Sequence, residues 1–258
     1  MLAVAALLER RPALLAVRRA LPRSTGLRLV TARSPDHLAQ LLAHELIDVI
    51  VLGAEPVKGH ALDGLRHDFP RVPLVLYAPF RSDDADLLLR ARRERVAAVA
   101  VEGVDDPVFA EIVQRHSQTA RRLADLLPLA RRLDLTDPLQ IEAWRLIVRF
   151  APQGLDTAWL ARRLKVRRET LSRHFAAGGA PSLKRAIDAV RVLAAGELLG
   201  NPGYRVKDVA RLLGFSSLSL LHRTARRIFG LPARQAVALD LPRLISALRG
   251  ERSEARWS

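Results

Sequence analysis

Cysteine is missing from this chain. Its absence removes disulfides, thiolate metal ligands and a cysteine nucleophile together. Long hydrophobic runs are missing too. The longest near the start, Leu2 to Leu8, is far too short to span a bilayer. Glu9, Arg10 and Arg11 follow it in place of a signal-peptide cleavage site. The expectation is a cytoplasmic protein with no membrane partner. Lysine is nearly absent: of 42 basic residues only Lys58, Lys165, Lys184 and Lys207 are lysines. A GC-rich genome would account for part of such an arginine excess, alongside abundant alanine and leucine.

The charge that is present is unevenly placed. The net value is +15. Residues 1–135 carry 20 basic and 17 acidic side chains, a net of +3, whereas residues 136–258 carry 22 and 10, a net of +12. A genomic bias acts on both halves alike, so this concentration points to a polyanionic partner for the second half. The competing reading is a set of solvated helix faces. At 49% apolar residues the chain has material for a sizeable core, and its length allows two ordinary domains.

The two halves differ in pattern. In the first, short apolar runs bounded by polar, Pro or Gly residues occur at Leu27–Ala32, Asp48–Gly53, Val72–Ala78 and Val96–Gly103, with "LAVAA" at the start as a further strand. Helical stretches lie between them at Arg11–Leu21, Pro35–Glu45, Leu62–Asp68, Asp83–Arg95 and Pro107–Leu127, with Ser34 as an N-cap before Pro35. Continuous apolar strands alternating with helices predict a doubly wound parallel α/β sheet of about five strands. This order, and the phrase "LRHDFPRVPLVLYA", resemble a response-regulator receiver domain, a flavodoxin-like fold.

The resemblance implies positions for a phosphorylation site, and the residues it needs are not there. The first-strand acidic pair falls near Ala6 and Leu7, and the phosphoacceptor falls on Gly53. The hydroxyl position lies near Tyr77 or Ala78, and the lysine position near Glu102. Phosphoryl transfer needs a carboxylate nucleophile and carboxylates to hold Mg²⁺, so the expectation is a pseudo-receiver that is not phosphorylated. Asp48 precedes its strand, and Asp83, Asp84 and Asp86 begin a helix, where acids suit the positive end of the dipole.

The second half is nearly all helical and contains an internal repeat. "LDTAWLARRLKVRRETLSRHF" (Leu155–Phe175) aligns with "YRVKDVARLLGFSSLSLLHRTA" (Tyr204–Ala225). Each copy has an alanine (Ala161, Ala210), a leucine three residues later (Leu164, Leu213) and then an apolar turn residue (Val166, Phe215). A leucine and an arginine follow in the second helix: Leu171 with Arg173, and Leu221 with Arg223. The small alanine admits a close helix crossing, and the leucine and turn residue fill the angle. Asp156 or Thr157, and Ser216 or Ser217, are the cap candidates. Between the copies lies a helix, Ser182–Leu199, ended by "GNPG".

This stretch, Pro138 to Ala238, resembles the DNA-binding domain of the AraC/XylS family of bacterial transcription regulators, most closely in "VRVLAAGELL", "VKDVARLLGFSS" and "RRIFGLPARQA". Leu221 and Ala225 stand where the family usually has an aromatic and a phenylalanine. Lys165 replaces the glycine usual before the turn residue, and must accept a left-handed conformation or adopt a different turn. The expected domains are 1–127 (receiver-like), 128–137 (connector), 138–240 (two helix-turn-helix units) and 241–258 (tail).

The resemblance implies double-stranded DNA as partner, with the second helix of each unit in successive major grooves. RNA polymerase, and a second copy met through the N-terminal domain, are further partners it suggests. Base-contact candidates are Glu169, Ser172 and Arg173 in the first unit and Leu218, Ser219, His222 and Arg223 in the second. Arg167, Arg168, Arg226 and Arg227 are phosphate candidates. Each has a plainer alternative. The arginines could be solvated or paired with carboxylates, Glu169 could only favour its helix N-terminus, His222 could lie idle on the surface, and Leu218 could be core. Trp144 and Trp159 read as packing.

No cofactor, metal site or enzyme is expected. Some AraC-like regulators carry an amidase-like α/β domain, but its nucleophile is cysteine. A G-x-S-x-G elbow and a glycine-rich phosphate loop are absent, and His37, His44, His60, His67, His116, His174 and His222 form no ligand motif. The alternative function is an architectural or protein-interaction factor that binds DNA without reading it.

Overall fold

The computed structural model describes residues 2–81 and 84–250. Asp83 and residues 251–258 of the expected tail lie outside them. Packing divides the chain into two units: residues up to Arg121 together with Asn201–Gly203, and Arg122–Gly200 together with the chain from Tyr204. The division falls inside one helix.

In the first unit the apolar runs become five parallel strands, β1 (Leu2–Leu7), β2 (Leu27–Thr31), β3 (Val49–Leu52), β4 (Leu74–Ala78) and β5 (Ala98–Val101). Their order is β2-β1-β3-β4-β5, the flavodoxin-like order. The register pairs Val4 with Leu29 on one side and Val49 on the other. Helices α1 (Arg11–Ala20), α2 (Pro35–His44), α3 (Ala54–Lys58), α4 (Ala61–Asp68), α5 (Ala85–Arg93) and α6 (Phe109–Arg115) alternate with them. Strand alternation divides the buried side chains between two faces. Leu2, Val4, Ala6, Val49, Val51, Val75 and Tyr77 form one cluster with Ala13, Val17, Phe109 and Val113 of α1 and α6. The residues between them, such as Ala5, Ile50, Leu52 and Leu76, are buried as well, which is why these strands read as continuous apolar runs.

Two local details refine the expectation. The Ser34 hydroxyl accepts the His37 N–H at 3.1 Å, capping α2 as foreseen. The stretch Pro107–Leu127, expected as one helix, breaks at His116–Ser117 into α6 and α7 (Gln118–Leu126). There the Ser117 hydroxyl accepts from Ala120 N–H at 3.0 Å and donates to Gln114 O at 2.8 Å, capping a new helix. The buried Asp48 carboxylate accepts the Thr119 hydroxyl of α7 at 2.7 Å and the Ala3 N–H at 3.3 Å, so a residue that merely precedes its strand ties α7 to the amino end of the sheet.

The second unit is helical: α8 (Pro138–Phe150), α9 (Thr157–Arg163), α10 (Arg168–Phe175), α11 (Leu183–Leu199), α12 (Val206–Leu212), α13 (Leu218–Phe229) and α14 (Leu241–Arg249). Helix α11, about 25 Å long at 1.5 Å per residue, is the hub against which α8, α10, α12, α13 and α14 pack. Trp144, fully buried, is packing as expected, and its indole N–H donates to Leu126 O at 3.0 Å. Trp159 is half-buried, 5.2 Å from the Phe150 ring centroid. Arg122, also buried, reaches the Glu197 carboxylate of α11 through Nε and Nη2 at 3.1 and 2.5 Å. Residues 241–249, expected as part of a tail, instead form α14, which buries Leu244 and Leu248 in this core.

Candidate nucleic-acid interface

The two repeats fold into two helix-turn-helix units, α9–α10 and α12–α13, with the same turn chemistry. At the end of α9, Val166 N–H bonds to Ala161 O and Lys165 N–H to Arg162 O, at 3.1 and 3.2 Å. At the end of α12, Phe215 N–H bonds to Ala210 O and Gly214 N–H to Arg211 O, at 2.9 and 3.0 Å. Both are Schellman closures with one left-handed residue. That residue is Lys165 (φ 57°) in the first unit and Gly214 (φ 69°) in the second. The lysine therefore takes the glycine conformation, the first of the two options open to it. Ala161 and Ala210 are buried at the helix crossings.

The caps and turn lengths differ. Asp156 accepts the Trp159 N–H at 2.6 Å to start α9, and Ser217 accepts the Leu220 N–H at 3.1 Å to start α13. Arg167 occupies the N-cap of α10 with no side-chain cap. Four residues, Leu164–Arg167, separate the helices of the first unit and five, Leu213–Ser217, those of the second. The single alignment offset of the sequences thus shifts by one residue across the turn.

The second helices bury one face and offer the other. Leu171 and Phe175 of α10, and Leu221, Ala225 and Ile228 of α13, are in the core. Glu169 and Arg173 are exposed and Ser172 is half-buried; Leu218, Ser219 and Arg223 are exposed and His222 is half-buried. Leu218, left open between core and contact, is 40% exposed. Glu169 pairs with Arg168 at 3.3 Å. The carboxyl of Glu169 is held below the ordinary carboxylate range first by its own backbone N–H and then by Arg168. Arg167 and Arg226 are exposed, and Arg227 donates to the buried Asp188 of α11 at 2.6 Å.

Several supporting groups had no sequence signal. Gln140, buried on α8, donates from Nε2 to the carbonyls of His174, Phe175 and Ala177 at 3.2, 3.1 and 3.2 Å. Its Oε1 accepts from Thr136 and Asp137 N–H at 3.0 and 3.1 Å. One amide thus closes the carboxyl end of α10 and the amino end of α8. Asp137 accepts from His174 at 2.8 Å beside it, which lowers its carboxyl below the ordinary range. These contacts fix α10 from α8.

In the first unit, Gly53 stands where the receiver resemblance puts the phosphoacceptor. A Cβ there would fall 1.9 Å from Oε2 of Glu9, so the Glu9 carboxylate fills the space a side chain would take. The sequence-based position near Ala6 and Leu7 missed this acid, two residues beyond the end of β1. Glu102, at the lysine position, pairs with Arg10 at 2.9 Å. The Tyr77 hydroxyl donates to Asp106 at 2.6 Å; burial, then this hydrogen bond, raises its pKa.

The sequence profile of a family described as a helix-turn-helix domain matches residues 160–238, from α9 through both units. Among curated protein sequences none matches the chain. Solved structures similar to it include full-length FixJ from B. japonicum, 13% identical, with 92% of this chain and 98% of that chain covered at a TM-score of 0.40. RcsB from Salmonella enterica serovar Typhimurium bound to promoter rprA is 15% identical, with 72% and 98% covered at 0.37. A response regulator from Burkholderia pseudomallei with a phosphorylated aspartic acid is 16% identical, with 67% and 98% covered at 0.36.

Proposed function

We propose that the chain is a sequence-specific DNA-binding transcription regulator, with α10 and α13 placed in successive major grooves and a receiver-like unit that takes no phosphoryl group. The observation that carries it is the repeated helix-turn-helix. Two units closed by the same turn, packed on one connecting helix, each present a polar, arginine-bearing helix face. Arg173 and Arg223 suit guanine edges, Leu218 a thymine methyl, and Glu169 a cytosine amino group. Arg167, Arg168 and Arg226 suit phosphates; Arg227, a phosphate candidate from the sequence, is held instead by Asp188. Gly53 itself supports the pseudo-receiver reading, because a glycine at the phosphoacceptor position carries no side-chain carboxylate to be phosphorylated.

The test is selection of bound duplexes from a random library, followed by affinity for selected and scrambled DNA at one near-physiological salt concentration. A specificity ratio of about 10³ or more is expected. Arg173→Ala and Arg223→Ala should each cost about 1–3 kcal/mol at one base position. Equal affinity for scrambled DNA would replace this reading with the architectural one. Radiolabelled acetyl phosphate should leave no label on the first unit; labelling would overturn the pseudo-receiver assignment.

A further inference from the structure

The polar face of α11 carries two groups that act on the second helix-turn-helix from opposite ends. Arg191 lies beside the turn between α12 and α13. Its Nη2 donates to Leu213 O at 2.9 Å, and its guanidinium carbon sits 4.0 Å from the Phe215 ring centroid, within cation–π range. Leu213 and Phe215 flank Gly214, the left-handed residue of the turn. One turn earlier on α11, the buried Asp188 accepts from Arg227, in the last turn of α13, at 2.6 Å and pairs with Lys184 at 3.2 Å. The turn before α13 and the far end of α13 are therefore both gripped by one rigid helix.

The turn that Arg191 holds also touches the first helix-turn-helix. Gly154 is the left-handed residue just before α9. A Cβ on Gly214 would lie 3.1 Å from the Gly154 Cα and 3.9 Å from Arg191 Nη2. The turn of the second unit thus meets, backbone to backbone, the loop that leads into the first, with the guanidinium beside the contact.

Packing alone does not call for an arginine here. Its Nε is buried with no hydrogen-bond partner among the described residues, and burial lowers its pKa against the raising influence of Asp188. An apolar side chain of similar length would cover Phe215 without that desolvation cost. What only the guanidinium provides is a planar fork aimed at one carbonyl while stacked on one ring, which fixes an orientation.

We propose that Arg191 and Asp188 are positioning residues that lock the second recognition helix relative to the first, so that the protein gauges the spacing of two half-sites in duplex DNA. The spacing function rests on the DNA-reading proposed above; the locking does not. A rigid pair of helices accepts one spacing, because each added base pair moves a half-site by about 3.4 Å and turns it by about 35°.

Two measurements on the full chain test this. The absence of cysteine lets spin labels be placed at Thr170→Cys and Ser219→Cys alone. Without DNA, the inter-label distance should be narrow in the parent, broad in Arg191→Met and Asp188→Asn, and intermediate in Arg191→Lys. Each variant should keep its helical circular dichroism; Arg191→Lys carries the test if Arg191→Met does not fold. On library-selected DNA, insertion of one base pair between half-sites should weaken the parent about ten-fold or more, and Arg191→Met less than about three-fold. Unchanged distance distributions overturn the lock. Equal weakening by Arg191→Met on every spacing makes Arg191 merely structural and overturns the gauge. If selection yields no preferred DNA, the regulator reading fails, and the distance measurement still decides the lock.

Discussion

Lys165→Gly should stabilise the helical unit that holds both helix-turn-helix motifs. Lys165 is the left-handed residue of a Schellman closure, at φ 57°, and an L-residue there costs about 1–2 kcal/mol relative to a right-handed one. Glycine removes that cost but gives up about 0.5–1 kcal/mol through its freer unfolded chain. The difference, about 0.5–1 kcal/mol in favour of glycine, corresponds to a rise of roughly 2–5 °C in the Tm of a unit this size. Lys165 is exposed, so little else changes. Calorimetry of the full chain with urea titration reads the effect. The second copy supplies the control. Gly214→Ala restores the left-handed cost and adds a Cβ 3.1 Å from Gly154 Cα, so it should destabilise by more than the first change gains. A Lys165→Gly variant no more stable than the parent would refute the reasoning.

Gln140→Met keeps the volume but strips the partners from three carbonyls at the end of α10 and two N–H groups at the start of α8; a loss of about 1–3 kcal/mol in urea unfolding is expected. Asp137 has a folded pKa below its ordinary value of about 3.9, chiefly through the His174 hydrogen bond. Its contribution is present above that ordinary value and lost as pH falls through the depressed one, so the parent's advantage in urea midpoint over Asp137→Asn at pH 6 should shrink on the acid side. Arg226→Ala should lower the salt slope of DNA binding by about 1 with little effect on stability. Arg227→Ala should instead cost about 1–3 kcal/mol of stability, because it removes the closer of the two ion-pair partners of the buried Asp188 carboxylate.

What could be read from the sequence was local or repeated. Ser34 before Pro35, Asp156 before α9 and Ser217 before α13 act on N–H groups three residues away, and the five apolar runs are each long enough for one strand. The repeat exposed the common turn because Lys165 could be set against Gly214. The long-range groups gave no such signal. Gln140 acts on carbonyls 34 to 37 residues away, and Arg191 on a carbonyl 22 residues away. Glu9 fills the space at Gly53 because the chain turns after β1. Periodicity is blind to such contacts. It also ran through Ser117, because both helices there are amphipathic and the break is made by one hydroxyl.

Charge counting carried the first hint of function, and the structure changes what the count means. Part of the excess in the second half is spent internally: Arg191 on Leu213 O, Arg227 on Asp188, and Arg185 on Ala247 O. Those arginines shape the unit, and their removal acts through folding. Arg167, Arg173, Arg223 and Arg226 are exposed on or beside the second helices and make no ion pair or side-chain hydrogen bond among the described residues. Fully hydrated guanidiniums add little to stability, so their presence on these two helix faces is not explained by the fold. The DNA partner proposed above would explain it, since phosphates and guanine edges repay the ordering of such side chains. The same residue type thus does two jobs on α13: Arg227 holds the helix to its scaffold, and Arg223 and Arg226 point away from it.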